Sequence, residues 1–340
     1  MLGYSPKKYD VYGIIGLAVV IIFAAGRNRV GTDFVTYMNI FKRYAAMEWG
    51  DFFSKVNDDI LFNFINKITY SIGGRVFTWG VIAALIVIPI YSTVKKHYSD
   101  MDISCAMVVF LLLMYTTSFN VSREFIAVAI VFWGMKYVFE NKFFKFALCV
   151  IIATMFHASA FVAITFWLFW SHKTDSAVVG NRRVLLIIAA TIAVLGYQSI
   201  ISFFSSNVSL FESYASYAND KDGGSNREFY LNLLVLFVIS KLYKKFKDKD
   251  PRLEFLFSLL IVANLIGITG FSHPQVKRLA YYFSVPSQVI IFGYLPFCVE
   301  KHNKAFTTVS IYLYAIARFT LTAYILEQGH LIPYRFDLFG

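Results

Sequence analysis

The sequence predicts an all-α polytopic membrane protein, with about nine full transmembrane helices, a re-entrant or short-helix hairpin around His157, and interfacial helices. Three observations carry this expectation. Of 340 residues, 58% are hydrophobic and only 16% charged, with a mean hydropathy of +0.58. Apolar runs near the ~20 residues that span a bilayer recur from end to end. The connections between them can be arranged so that most Lys and Arg fall on one side. No stretch is polar enough for a separate soluble unit, so 1–340 reads as a single integral membrane domain. It would carry an outer loop over 27–75, holding interfacial helices, and another over 205–227. The net charge of +11 then speaks of topology, not of nucleic acid. Cys105, Cys149 and Cys298 lie in apolar runs without metal-ligand spacing and read as small buried hydrophobes.

Lys7 and Lys8 favour a cytoplasmic start, and Val11–Gly26 crosses outward. The small residues before Gly26 are also compatible with signal-peptide cleavage, but the membrane-embedded remainder favours a retained anchor. Arg27–Asp59 is a mixed-charge, aromatic-rich outer segment. Ile60–Ile72 is apolar on one face and carries Asn63, Asn66 and Lys67 on the other, as expected of a helix lying on the membrane surface. Val76–Val94 returns to Lys95 and Lys96, Ile103–Phe119 goes out, and Arg123–Glu140 comes back to the turn with Lys142 and Lys145. Phe143–Trp170 is long for one span and short for two, with His157-Ala158-Ser159 at its middle. A single span would reverse every later loop and put the most basic run, Lys241–Arg252, outside; a hairpin keeps it inside. Polar backbone at such a break is tolerated where it lines a cavity, which turns His157 toward an interior vestibule. Val184–Phe204 then leads out, Phe229–Tyr243 in, Leu253–Phe271 out to the turn Ser272–Arg278, Leu279–Val299 in, and Ala305–Leu326 out to the tail Gln328–Gly340. No internal repeat stands out, which weighs against the common transporter folds.

This topology gathers the polar residues of interest on the outer side. In Arg27–Tyr37, RNRVGTDFVTY, Arg27 and Arg29 present forks suited to phosphate oxygens. Gly31 lets the backbone approach a ligand, Thr32 and Tyr37 add hydroxyls, and Asp33 can orient an arginine or act as a base. Asn120, Arg123 and Glu124 occupy a tight turn between spans, and His157 reaches toward them from the hairpin tip. His273, Lys277 and Arg278 follow in the short outer turn. Tyr281 and Tyr282 share a helix face with Arg278, which sets a cation beside two rings. Arg335 lies on the tail. Each has a plainer alternative: lipid headgroups for the arginines, a hydrogen-bonded core for the histidine, interfacial belts for the 22 Tyr and 36 Phe. Converging cations with few acidic residues to hold a metal call for an anionic amphiphile, a lipid with a phosphate or diphosphate head. Arginine can stabilise a diphosphate leaving group with neither metal nor cofactor. Asp33, Glu124 and His157 are the well-placed titratable bases. The reaction class this suggests is metal-independent group transfer from a polyprenyl diphosphate carrier.

The motifs R-x-R-V-G-T-D-F-x-x-Y from Arg27, N-x-S-R-E-x-I-A-x-A-I from Asn120, F-K-F-x(7)-T-M-F-H-A-S-A-F from Phe144 and K-R-L-A-Y-Y-F from Lys277 occur in this order. Together they resemble the EpsG-like branch of Wzy-type polysaccharide polymerases. Glu124 departs from the pattern, which has glutamine after the arginine. The resemblance implies a GT-C-like enzyme of the bacterial inner membrane that joins undecaprenyl-diphosphate-linked oligosaccharide repeat units at the periplasmic face. The growing chain would pass to the non-reducing end of a new unit, making O-antigen, capsule or exopolysaccharide, with a chain-length regulator as a further partner. Arg29, Arg123 and Arg278 would hold the diphosphate, with Arg27 and Lys277 beside them. Asp33 or His157 would be the base on the acceptor hydroxyl, and Tyr281 and Tyr282 would line the sugar path. Gly31, Thr32, Tyr37, Asn120, His273 and Arg335 would complete the substrate contacts. Two other readings compete: an acyltransferase acting on surface glycans, and a flippase or transporter for lipid-linked sugars. Arg318, inside the last span, fits the transporter better.

Overall fold

A computed structural model describes residues 10–97, 101–170, 176–196, 199, 202–203, 206–207, 226–246, 250–271 and 276–339. Among them the fold is all-helical, with one isolated bridge between Arg27 and Phe336 in place of any sheet. Three helical stretches are long and apolar enough to cross a membrane: Ile60–Lys96, Arg252–Phe271 and Lys301–Ile325. Shorter apolar helices join them at Val11–Ala25, Ile103–Phe119, Phe143–Phe156 and Ala158–Leu168. Parts of the expected span Val184–Phe204, most of the loop 205–227 and residues 272–275, with His273, lie outside the described residues.

Helix α1 (Val11–Ala25) is apolar all round and starts where the Asp10 carboxylate accepts the amide of Gly13. Asp10 also takes hydrogen bonds from Lys95 and Tyr91, which hold its carboxyl far below the usual range and tie the start of α1 to the far end of α4 (Ile60–His97). The amphipathic α2 (Phe34–Ala46) buries Phe34, Tyr37, Phe41 and Tyr44, and Trp79 of α4 meets Tyr37 and Phe41 edge-on. The short α3 (Trp49–Lys55) follows.

Helix α4 is two helices. Gly73 and Gly74 leave helical geometry, Gly74 at φ 58 and ψ −150, a region open only to glycine. Ile60–Ile72 is thereby separated from the following apolar rod, at the boundary expected from composition. Its polar face, however, turns inward. Asn63, Asn66 and Lys67 are all buried, and the Lys67 ammonium donates to the carbonyls of Tyr44 and Met47 at the end of α2. Those carbonyls carry the negative end of the helix dipole, so the lysine serves them and not water.

Helix α5 (Ile103–Val109) loosens through a π turn (Phe110–Met114) and tightens into a 3-10 turn (Tyr115–Phe119). Helix α6 (Ser122–Phe139) packs tightly on α7 (Phe143–Phe156), where a Cβ on Gly134 would lie 2.9 Å from that of Cys149. Helix α7 stops at His157, which is extended (φ −160, ψ 120). A 3-10 turn (Ala158–Ile164) then folds back along α7 before the short α8 (Thr165–Phe169). The broken hairpin anticipated around His157 is therefore the observed geometry. Beyond α9 (Ser176–Leu195) come α10 (Arg227–Phe246), α11 (Pro251–Gly267), α12 (Ala280–Cys298) and α13 (Lys304–Phe319), the last prolonged by a π turn to Ile325. Helix α12 is buried along most of its length and forms the spine against which α5, α6, α11 and α13 pack.

Candidate functional site

One end of the bundle is knitted together by the loop that leaves α1 and by the tail after α13. The Asp337 amide donates to the Gly26 carbonyl at 2.7 Å, and the Asn28 amide to the Arg335 carbonyl at 2.9 Å. Arg75 reaches across both strands, donating to the carbonyls of Arg27 and Asp337 and to the Asp337 carboxylate at 3.0 Å. The Tyr334 ring stacks on Phe23 at 4.0 Å. Inside this clasp Gly31 adopts φ 101, and a Cβ there would come within 2.7 Å of the Asn120 amide oxygen. Both conditions require glycine. Asn120 in turn accepts from the amide of Asp33 and donates to the carbonyl of Gly329, so the turn before α6 is pinned from two directions. The Tyr37 hydroxyl accepts the Ser122 amide at 2.9 Å, filling one of the unpaired donors at the start of α6.

That pinned start aims Arg123 and Glu124. The Arg123 guanidinium meets the Asp59 carboxylate at 2.5 Å, and the other oxygen of Asp59 lies 3.2 Å from Nδ1 of His157. Asp59 is 8% exposed and holds a left-handed backbone conformation (φ 45) just before α4. Such strain persists where surrounding contacts over-determine it. Burial alone would raise the Asp59 pKa, but the His157 hydrogen bond and the Arg123 charge outweigh it and hold the carboxyl below its ordinary value. In the neutral ring this contact sets the proton on Nδ1 and makes Nε2 the basic nitrogen. Glu124 is buried, and among the described residues neither of its carboxylate oxygens has a hydrogen-bond partner. Its electrostatic neighbours are His157, Arg278, Arg123 and Asp59. Arg278, from the 3-10 turn that leads into α12, thus joins the group from a third direction. Tyr281 follows one turn later, with Glu228, Glu124 and Arg278 around it and its ring 5.4 Å from that of Phe125. Tyr282 is buried and shares a hydrogen bond of 3.0 Å with Ser159 of the hairpin.

The lowered Asp59 pKa has a consequence for stability. A carboxyl that binds its proton more weakly in the native than in the unfolded chain contributes fully above its ordinary value of 3.8, and the contribution disappears as pH falls through the native value. Thermal unfolding in detergent should show this as an acid-side decline below the usual carboxylate range. Asp59→Asn should flatten it, and an unchanged acid slope in that variant would refute the assignment.

Arg123, Glu124, His157, Arg278 and Tyr281 are therefore brought together. Arg29 and Arg335 are exposed at the same end, on the clasp. Asp33 lies beside the Thr32 hydroxyl on the partly open turn, and Lys277 lies in the neighbouring cavity wall. Two expectations change. Arg27 does not open onto a vestibule: it is 2% exposed, its guanidinium 3.5 Å from the Trp79 ring centroid and 4.4 Å from that of Phe119. Burial lowers its pKa to about 10, so it remains a cation, held by ring faces. Tyr37 is likewise buried, with its hydroxyl committed to the Ser122 amide. Asp59 was not among the expected residues. Its local sequence signal is only that of a carboxylate ahead of an amphipathic helix.

The EpsG family model matches residues 11–336, and so takes in every one of these groups. The chain belongs to the EpsG family. This is the family of Wzy/EpsG-like polysaccharide polymerases, and membership indicates a polymerase type of function in polysaccharide biosynthesis at a membrane. The chain matches no curated protein and no solved structure. The four motifs singled out in the sequence map onto the clasp, the start of α6, the hairpin break and the start of α12.

Proposed function

We propose that this EpsG-family chain is a metal-independent glycosyltransferase that polymerises polyprenyl-diphosphate-linked repeat units at the outer face of the bacterial inner membrane, its N-terminus cytoplasmic and its C-terminus periplasmic. The observation that carries the reading is the convergence of Arg123, His157 and Arg278, from three separate segments, around Glu124. Undecaprenyl diphosphate suits such a site, with its tail in lipid and its head on the guanidinium forks. The acceptor hydroxyl oxygen attacks the anomeric carbon of the growing chain, and its proton passes to Nε2 of His157. The bond between that carbon and the diphosphate oxygen breaks, the electron pair leaving with the diphosphate. Arg123 and Arg278 stabilise the charge as it develops. Asp59 keeps the imidazole oriented and stabilises the imidazolium. Arg29 and Arg335 stand where an incoming headgroup would first be met, and a chain-length regulator is the further partner the family implies.

Deletion of the gene tests this against its rivals. Surface glycan run on a gel should collapse to carriers capped with a single repeat unit. Loss of all capped carriers would point to a flippase, and full-length chains lacking a substituent to an acyltransferase; either pattern would overturn the proposal.

A further inference from the structure

The tail after α13 turns back sharply. Glu327, Gly329 and His330 take left-handed backbone conformations, at φ 50, 77 and 48. Such a run persists where surrounding contacts over-determine it. Those contacts lie on the other strand of the clasp and at Asn120, which ends the 3-10 turn Tyr115–Phe119 just ahead of α6. The Gly31 amide donates to the His330 carbonyl at 3.1 Å. Asn120 donates through Nδ2 to the Gly329 carbonyl at 3.4 Å, and its Oδ1 accepts the Asp33 amide in a longer contact of 3.5 Å. Both strands also press on the amide itself. A Cβ on Gly31 would stand 2.7 Å from Oδ1, and a Cβ on Gly329 would stand 2.7 Å from Nδ2. The side chain is held between two glycines, one from the start of the chain and one from its end.

The two poles of the amide fix which way it faces. Its oxygen lies against an N–H and its NH₂ against a carbonyl, whereas the flipped amide would set donor against donor and acceptor against acceptor. Asn120 is also tied along the backbone, its own amide donating to the Thr117 carbonyl at 3.0 Å. Arg123 and Glu124 follow within one helical turn, and the Ser122 amide between is held by Tyr37. The first turn of α6 therefore takes its rotation and height from groups outside the helix, and the tail is one of them. Arg123 depends on that setting. Its guanidinium meets Asp59, which also holds His157, so a rotation of α6 draws the cation away from both. Asn120, expected to touch substrate, has both poles of its amide occupied within the chain.

We propose that the tail is a strap that sets the aim of Arg123, and that Asn120 is the positioning residue through which it acts. Release of the strap leaves the bundle folded, because α5, α6, α11 and α13 pack on α12 without it. What is lost is the fixed start of α6, and with it the preset place of a cation assigned to the diphosphate. Preorganised donors stabilise developing charge because they have no reorganisation left to make, and a guanidinium that must search for its position forfeits that advantage. The strap works through the carbonyls of Gly329 and His330, so the exposed end of the tail has no part in it. The catalytic consequence rests on the polymerase reading, while the coupling of the tail to α6 is independent of it.

The test joins hydrogen exchange on the full-length protein in detergent with glycan gels from complemented deletion strains. Gly329→Ala should speed amide exchange over residues 121–125 by about tenfold or more and leave α12 protected, which also reports that the variant is folded. Asn120→Ala, which removes both poles and crowds nothing, should do the same. Asn120→Asp keeps the acceptor for Asp33, loses the donor to Gly329, and should match Asn120→Ala. Gly329→Ala and Asn120→Ala should each slow chain extension by about 10–10²-fold, the scale on which misplacement of a reacting group is felt. Their double variant should be no worse than the more severe single, because both break one link. Phe339→Ala, at the exposed end of the tail, should match wild type. Unchanged exchange over 121–125 in Gly329→Ala would overturn the coupling. Faster exchange with normal chain length would deny the strap its positioning role. Losses that multiply in the double variant would give Asn120 a separate contact with substrate and end the proposal. A wild-type chain that restores no polymer, with the exchange effect intact, would remove the polymerase reading and leave the coupling standing.

Discussion

His157→Gln should reduce chain extension by about 10²–10⁴-fold, the usual worth of a positioned general base. Glutamine keeps a polar group of similar reach but cannot take up a proton. Asp33→Asn should cost less than about tenfold on the same scale, because Asp33 sits with Thr32 on the partly open turn. Glu124→Gln should also retain activity within about tenfold, since the amide fills the same space without removing the proton acceptor assigned to His157. The three variants are read together, by polymer length on gels from complemented deletion strains. Full activity in His157→Gln with loss in either carboxylate variant would transfer the base to that carboxylate.

Removal of the guanidinium from Arg278 should cost about 10²–10³-fold in turnover, the range seen when one donor to a developing oxyanion is deleted. Arg278→Lys should recover only part of this, because an ammonium cannot grip two oxygens of a diphosphate as a planar fork does. Arg123 requires more care. Its partner Asp59 is buried, and removal of one member of such a pair leaves an uncompensated charge that destabilises the fold by about 3–5 kcal/mol. The double variant Arg123→Ala/Asp59→Asn avoids that penalty, and its comparison with Asp59→Asn alone isolates the loss of diphosphate stabilisation. Arg335→Ala, on the exposed part of the clasp, should stay within about twofold of wild type, as exposed charges contribute little. Normal turnover in Arg278→Ala would remove the leaving-group role.

Much of the architecture was legible because local chemistry announced it. The change in composition after Ile72 marks the elbow before the following span, where Gly74 takes a conformation closed to other residues. The histidine at the middle of an over-long apolar run marks the hairpin break. What escaped was long-range. Asp59 and His157 are 98 residues apart, and no periodicity near either points to the other. Of the two arginines in Arg27–Arg29, the sequence does not distinguish the one that enters a cage of rings. That depends on Trp79 and Phe119, which only the packing of α4 and the 3-10 turn Tyr115–Phe119 brings to Arg27. The polar face of Ile60–Ile72 misled for a related reason. Amphipathicity locates a polar stripe, but carbonyls at the end of a neighbouring helix compete with water for it.

The clasp of residues 26–28 with 335–337 bears on biogenesis. Arg75 precedes Asp337 by 262 positions, so a ribosome releases the first helices into the bilayer long before their latch exists. Nascent molecules must hold a hydrophobic rod with an unfastened rim until translation of the distal strand. Maturation of the mouth is a closing event, timed by the order in which the gene is read.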